Sequence, residues 1–170
     1  DWAFVGCSGL TSVTIPEGVT SIGSRAFQGC AGLTSVTIPE SVTSIGRYAF
    51  DGCSSLPVEN HVRYADKWAV GVDDNTLTRY TLKADTRGLS DTFYGCKNIV
   101  RFSIPETVKY ICEGVFYGCS ALKSVEIHSD ATIAGDCTFY KCSSLTSINL
   151  PSNMTSIGYG AFYGCTSLTS

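Results

Sequence analysis

The chain repeats itself. Phe4, Phe27, Phe50, Phe93, Phe116, Phe139 and Phe162 fall 23, 23, 43, 23, 23 and 23 residues apart. Cys7, Cys30, Cys53, Cys96, Cys119, Cys142 and Cys165 follow each Phe by three. Leu10, Leu33, Leu56, Ile99, Leu122, Leu145 and Leu168 follow each Cys by three again. One unit, Ala3 to Arg25, reads AFVGCSGLTSVTIPEGVTSIGSR. A period of this length means that equivalent segments bury equivalent side chains, so the architecture is one supersecondary unit used many times.

Within a unit, Leu10, Val13 and Ile15 alternate with Ser12 and Thr14, the period-2 pattern of a half-buried strand. Pro16 follows and, lacking an N–H, ends ladder pairing. Val19 and Ile22 form a second short apolar segment, stopped by Gly23. Ala26 and Phe27 lead into a tight FxGC turn, read as one helical turn. Its glycine recurs at Gly6, Gly29, Gly52, Gly95, Gly118 and Gly164, which predicts positive φ or close approach of neighbouring coils. Lys141 breaks that series, so glycine is not strictly required there.

A lone unit has too few inward side chains to order 23 residues. Stacking supplies what is missing: each coil buries its neighbours' faces and shares a backbone ladder at about 4.8 Å. The predicted fold is a single solenoid over 1–170, mainly β with short helical turns, of about seven 23-residue coils. Regular coils occupy 1–56 and 93–170, and variant coils with a hairpin occupy 57–92. Asp1 opens inside a turn and Ser170 stops partway along a strand, which predicts a fragment of a longer protein with its targeting and anchoring segments elsewhere.

The pattern CxxLTSVTIPxxVTSIGxxAFxGC resembles the leucine-rich repeats of BspA-like surface proteins, also called the Treponema-type class. The match is close over 1–56 and 93–170 and loose between them. The resemblance implies a leucine-rich-repeat solenoid with a parallel concave sheet. It also implies a surface or secreted, most often bacterial, setting and adhesion to host proteins or other cells. It carries over no catalytic residues.

Residues 57–92 leave the regular text. Leu77 through Leu82 (LTRYTL) still reads as a repeat strand, and Thr86-Arg87-Gly88-Leu89 stands where VTSI falls, so two coils fit the 43-residue gap. HVRYADKWAVGV alternates aromatic and apolar residues around Ala65-Asp66-Lys67, and Asp73-Asp74-Asn75 supplies another turn. This predicts a hairpin inserted in, or replacing, one face of a coil. Either it is an irregularity that changes curvature, with Trp68 filling the Phe column, or it is a protruding specificity element carrying Arg63, Tyr64 and Trp68.

Nine cysteines raise disulfides or zinc. Seven occupy one repeat position, where parallel Cα–Cβ vectors give poor bridge geometry, so they are expected to be reduced and to pack as small hydrophobes. No CxxC occurs, so no zinc or other metal site is predicted. Cys112 and Cys137 lie outside the column on adjacent coils, leaving two free thiols or a bridge between them. Asp73-Asp74-Asn75 lacks the alternating acids and distant Glu of a calcium loop and reads as a turn. His128 stands where other coils carry Pro and His61 opens the variant coil, so neither meets a nucleophile. No catalytic residue or cofactor is predicted, and the chain is read as a non-enzyme.

A hydrophobic fraction of 44% against 16% charged residues marks an ordered chain, and a net charge of −3 without a basic run excludes a nucleic-acid partner. No stretch approaches the roughly 20 apolar residues of a membrane span, and no signal peptide opens the chain. Outward positions of the first strand form a Ser/Thr lawn, interrupted at Arg79 and Arg101 with Lys83, Lys123 and Glu126 nearby. These five, with Arg63 and Trp68, are the candidate ligand-binding residues. The expected function is recognition of an extracellular-matrix or other surface protein, or a glycan, through the concave face and central variant coil. The alternative is a spacer without a ligand, and open coil ends add self-association end to end.

Overall fold

The computed structural model describes residues 1–128, 130–133, 135–152 and 157–169. They hold short strands in two rows plus a hairpin: β1 (Ser12–Thr14), β2 (Ser21–Ile22), β3 (Ser35–Thr37), β4 (Ser44–Ile45), β5 (Val58–Glu59), β6 (Val62–Ala65), β7 (Trp68–Val72), β8 (Gly88–Leu89), β9 (Arg101–Ile104), β10 (Tyr110–Ile111), β11 (Ser124–Ile127), β12 (Thr132–Ile133) and β13 (Ser147–Ile148). In the first row β1 pairs with β3, and β9, β11 and β13 pair in turn, all parallel. Like residues meet: Val13 faces Val36, and Arg101, Ser124 and Ser147 run side by side. The second row pairs β2 with β4 and β8 with β10 and β12, again parallel. The predicted repeat is therefore a physical repeat.

The turns carry no helix among the described residues. Cys30 N–H donates to the Phe27 carbonyl at 3.1 Å and Leu33 N–H to the Cys30 carbonyl at 3.0 Å, a three-residue spacing where a helical turn was expected. Other N–H groups in the turn point along the stack: Phe27 to Ala49 at 2.8 Å and Gly29 to Asp51 at 2.7 Å. A donor committed to the next coil cannot also close an α-helical ring.

This geometry explains the glycines. Gly6, Gly29, Gly52, Gly95 and Gly118 have φ of 72–73°, and Lys141 in the same column has φ 58°. Lys141 holds its place because its N–H donates to Tyr163 at 2.7 Å, against a left-handed backbone cost of about 1–2 kcal/mol.

Side chains stack as the backbone does. Phe4, Phe27 and Phe50 lie at centroid spacings of 5.1 and 5.2 Å, and Phe93, Phe116, Phe139 and Phe162 at 5.5, 5.4 and 5.3 Å. All nine cysteines are free, Cys112 and Cys137 included. The column cysteines do more than fill space: Cys30, Cys53, Cys119, Cys142 and Cys165 each donate Sγ–H to the Phe carbonyl one coil back, at 3.1–3.2 Å.

The middle departs from expectation. The solenoid has about six turns rather than seven, because 57–92 contributes a hairpin and an irregular return instead of two coils. Residues 77–82 form no strand. After the hairpin the chain is held by Asp74, whose Oδ1 accepts from Thr76 N–H at 2.9 Å, and by Tyr80, whose hydroxyl donates to the Asp74 carbonyl at 2.5 Å. These local bonds take the segment out of ladder register. The expected strand end at Ser170 lies outside the described residues.

The hairpin does not protrude. β5, β6 and β7 pair antiparallel, and β7 joins β8 parallel, so all three enter the second-row sheet in the order β12-β10-β8-β7-β6-β5. Its two faces divide the interior. Val62, Tyr64 and Ala69 pack into the core of the later coils, while Ala65, Trp68 and Val70 pack into that of the earlier coils. A sheet buried on both faces reads as a near-continuous apolar run, which is what WAV is.

Candidate binding surface

In β9, outward Arg101 and Ser103 are exposed and inward Phe102 and Ile104 are buried, and β3 alternates in the same way. Arg101 thus stands in a column otherwise occupied by Ser12, Ser35, Ser124 and Ser147. Arg79 is exposed, but it precedes β9 without a ladder to it, so the two arginines are not cross-strand neighbours. Neither makes an ion pair or side-chain hydrogen bond among the described residues. Lys123 is exposed and immediately precedes Ser124, the ladder partner of Arg101. Glu126, exposed on β11, lies 3.5 Å from Nε2 of His128, an exposed residue at the strand end.

The other candidates are committed to contacts within the chain. Trp68 is 1% exposed and its ring stacks on Tyr110 at 5.7 Å, so it neither reaches a ligand nor joins the Phe column. Its partner is a second-row residue because β7 joins the second-row sheet. Arg63 turns Nη1 onto the carbonyls of Ser54, Leu56 and Cys53 at 2.7, 3.2 and 3.3 Å, which makes it a clamp on the end of the third coil. Lys83 lies 3.7 Å from Glu59 and 4.6 Å above the Tyr64 ring, tied to the hairpin.

Arg63 is one of a set. Where the backbone ladder breaks between the third coil and the later ones, side chains seal the open edge. Asp66 Oδ2 accepts from Ile38 N–H at 2.8 Å, and Arg87 donates to the carbonyls of Pro39 and Glu40. Ser90 Oγ donates to the Ile45 carbonyl at 3.0 Å, and Asp91 Oδ2 accepts from Tyr48 N–H. Buried backbone groups need such partners, since an orphan costs roughly 1–3 kcal/mol. Burial first pushes the Asp91 carboxyl up to about 7, against the lowering pull of the Tyr48 N–H and the Arg47 guanidinium. Arg47 lies 4.8, 5.4 and 4.8 Å from the rings of Tyr48, Tyr94 and Tyr117. The sequence signs of this junction are the 43-residue gap and the irregular text of 57–92; neither marks which residues seal it.

The seal is incomplete on the turn side. A cleft of about 380 Å³ opens there between the Phe50 turn and the Phe93 turn, at the lower end of the range for ligand pockets. The rim toward the hairpin carries Asp73, whose Oδ1 lies 3.0 Å from His61 Nδ1.

Parallel short strands, stacked Phe and Cys columns and turn glycines at 23-residue intervals define a leucine-rich-repeat β-solenoid. The chain belongs to the BspA type leucine rich repeat region, six copies of which match residues 1–65 and 89–170, leaving β7 and the return segment outside. Among solved structures it is similar to a leucine rich repeat protein of Treponema pallidum, at 29% identity and a TM-score of 0.51, covering 99% of this chain and 70% of that one. A leucine rich cell surface protein from Faecalibacterium prausnitzii is 31% identical with a TM-score of 0.46, over 95% of this chain and 38% of its own. A leucine-rich repeat protein from Bacteroides ovatus is 29% identical with a TM-score of 0.45, over 97% of this chain and 37% of its own. No curated protein matches the chain.

Proposed function

We propose that this solenoid is a non-enzymatic recognition module of a bacterial cell-surface protein. It binds an acidic stretch of a partner protein or glycan through the outward face of the first strand row. The observation that carries this reading is the break in surface chemistry at mid-solenoid. A Ser/Thr row gives way to Arg101, with Lys123 exposed beside its ladder partner and Arg79 exposed on the segment before β9, the two arginines without acidic partners among the described residues. Unpaired guanidinium groups suit bidentate recognition of carboxylate or sulfate. Membership of the BspA type supports the surface setting. The two histidines lie against Asp73 and Glu126 at exposed positions, which suits surface pairing better than acid–base chemistry.

The test is capture of immobilised extracellular-matrix proteins and sulfated glycans by the whole chain, followed by the double variant Arg79→Ser/Arg101→Ser. The expected result is salt-sensitive capture weakened at least tenfold by the substitutions. Unchanged affinity at low salt removes the patch from the function. Failure to capture any member of the panel favours a spacer, a role suited to the uniform Ser/Thr faces of β1 and β3.

A further inference from the structure

The cleft between the Phe50 and Phe93 turns is the place where one rung of the backbone ladder is missing. In the regular stack, the Phe and Gly N–H groups of one turn donate to two carbonyls of the next. Phe27 and Gly29 reach Ala49 and Asp51; Phe93 and Gly95 reach Val115 and Tyr117; Phe116 and Gly118 reach Thr138 and Tyr140. The same donors on the third coil, Phe50 N–H and Gly52 N–H, have no partner among the described residues. The carbonyls that would receive them, on Thr92 and Tyr94, accept nothing there either.

The spacing of the coils says the same. A Cβ added at Gly29 or Gly52 would meet the glycine one coil back at 3.6 or 3.3 Å, whereas at Gly95, as at Gly6 in the first coil, nothing lies within 4 Å. By its surroundings Gly95 begins a new stack. Gly52 and Tyr94 are exposed, whereas Phe50 and Thr92 are only 2% and 1% exposed. Both line the cleft.

The cleft is also acidic. Asp51, Asp73 and Asp74 line it beside Asp91, whose charge burial suppresses, and no Lys, Arg or His lines it; Asp51 accepts from Gln28 Nε2 at 3.0 Å and Asp73 faces His61 at the rim. On the inward side the gap is already filled: Val70 is buried below, and Tyr80 packs on Phe93 at 5.2 Å. An occupant therefore needs small inward side chains. On the outward side its neighbours are Asp51 on one turn and, on the other, Tyr94, which the Tyr48 ring meets edge-on at 5.6 Å and which stacks on Tyr117 at 4.7 Å.

We propose that this cleft binds an extended, lysine- or arginine-bearing segment of a partner protein, which enters as the missing rung. Two of its carbonyls accept from Phe50 and Gly52, and two of its N–H groups donate to Thr92 and Tyr94. Its small side chains point inward and its basic ones toward Asp51 and Asp73. This is strand addition at a ladder edge, where main-chain bonds supply affinity and side-chain slots supply selectivity. The site lies on the turn side of the coil and does not rest on the first-row patch proposed above.

The experiment uses the whole chain, labelled for amide NMR, and the capped hexapeptide Ala-Lys-Ala-Lys-Ala-Lys as probe. The expected result is saturable binding that slows hydrogen exchange at Phe50 and Gly52 at least tenfold. The same peptide with alternate amides N-methylated keeps its charge but loses its donors, and should bind at least tenfold more weakly. Its glutamate counterpart should not bind, and Asp51→Asn/Asp73→Asn should weaken the lysine peptide. Equal affinity for the N-methylated peptide would overturn the proposal by showing attraction to charge alone. So would binding that leaves Phe50 and Gly52 unprotected, or no binding at millimolar peptide. Concentration-dependent protection of these amides without peptide would give the cleft to a second copy of the chain and overturn it as well.

Discussion

The hairpin's role as an internal partition can be tested at Gly88. This glycine pairs with Trp68 across β7 and β8, and the indole occupies the space above it. A Cβ placed there would lie 2.3, 2.4 and 2.8 Å from three carbons of the six-membered ring. The ring must retreat by about 1.1 Å to reach the 3.4 Å of ordinary contact. It has nowhere to go: Trp68 is 1% exposed and stacked on Tyr110 with an interplanar angle of 9°. Overpacking of this kind costs about 1–3 kcal/mol. The gain from replacing a strand glycine recovers at most about 0.5–1 kcal/mol. We therefore expect Gly88→Ala to lose about 1–2 kcal/mol in urea unfolding followed by far-UV circular dichroism. In a Trp68→Leu background the same substitution should cost less than about 0.5 kcal/mol, because the colliding atoms are gone; the difference is the coupling energy of the pair. A single variant as stable as the parent, or equal costs in both backgrounds, would refute a hairpin wedged between two halves of the core.

Asp91 should make the junction sensitive to pH. Its folded pKa of about 7 lies above the ordinary 3.8, so folding favours the protonated acid. That contribution is complete below about pH 4 and is lost as pH rises through 7, by at most about 4 kcal/mol. Asp91→Asn, which keeps an oxygen for Tyr48 N–H, should flatten this part of the stability profile between pH 4 and 8; parallel profiles for parent and variant would count against the assignment. The thiols should divide by burial. Under native conditions Ellman's reagent should modify Cys7 at once and Cys137 and Cys165 slowly, and reach the other six only on unfolding. Burial is also what raises Cys53 to about 12 and Cys96 and Cys112 to about 11, keeping them as unreactive thiols. More than three reactive thiols in the folded chain, or fewer than nine in the unfolded one, would contradict a column of free cysteines.

Much of this protein was legible in its sequence, because a periodic chain constrains its own neighbours. Once Phe27 and Phe50 are 23 residues apart and equivalent, their stacking follows, as do the free thiols beside them and the left-handed backbone at Gly29 and Gly52. The segment around WAV was legible as a strand of a hairpin. That its two sides face two different cores was not, since burial on both faces depends on what stands on either side. The seals at the junction were beyond sequence reading for the same reason. Asp66, Arg87, Ser90 and Asp91 bond to backbone groups 28 to 48 positions away, at distances in the chain that follow no period. Arg63 reads from sequence as a surface cation and becomes a clamp only because three carbonyls end in front of it. The cleft is the extreme case. It is made by a turn that the chain does not supply, and its unpaired donors, Phe50 and Gly52, are identical in sequence to donors that are satisfied in other coils. Local repetition determined the coil; only the tertiary stack decided where the ladder stops and which groups it leaves open.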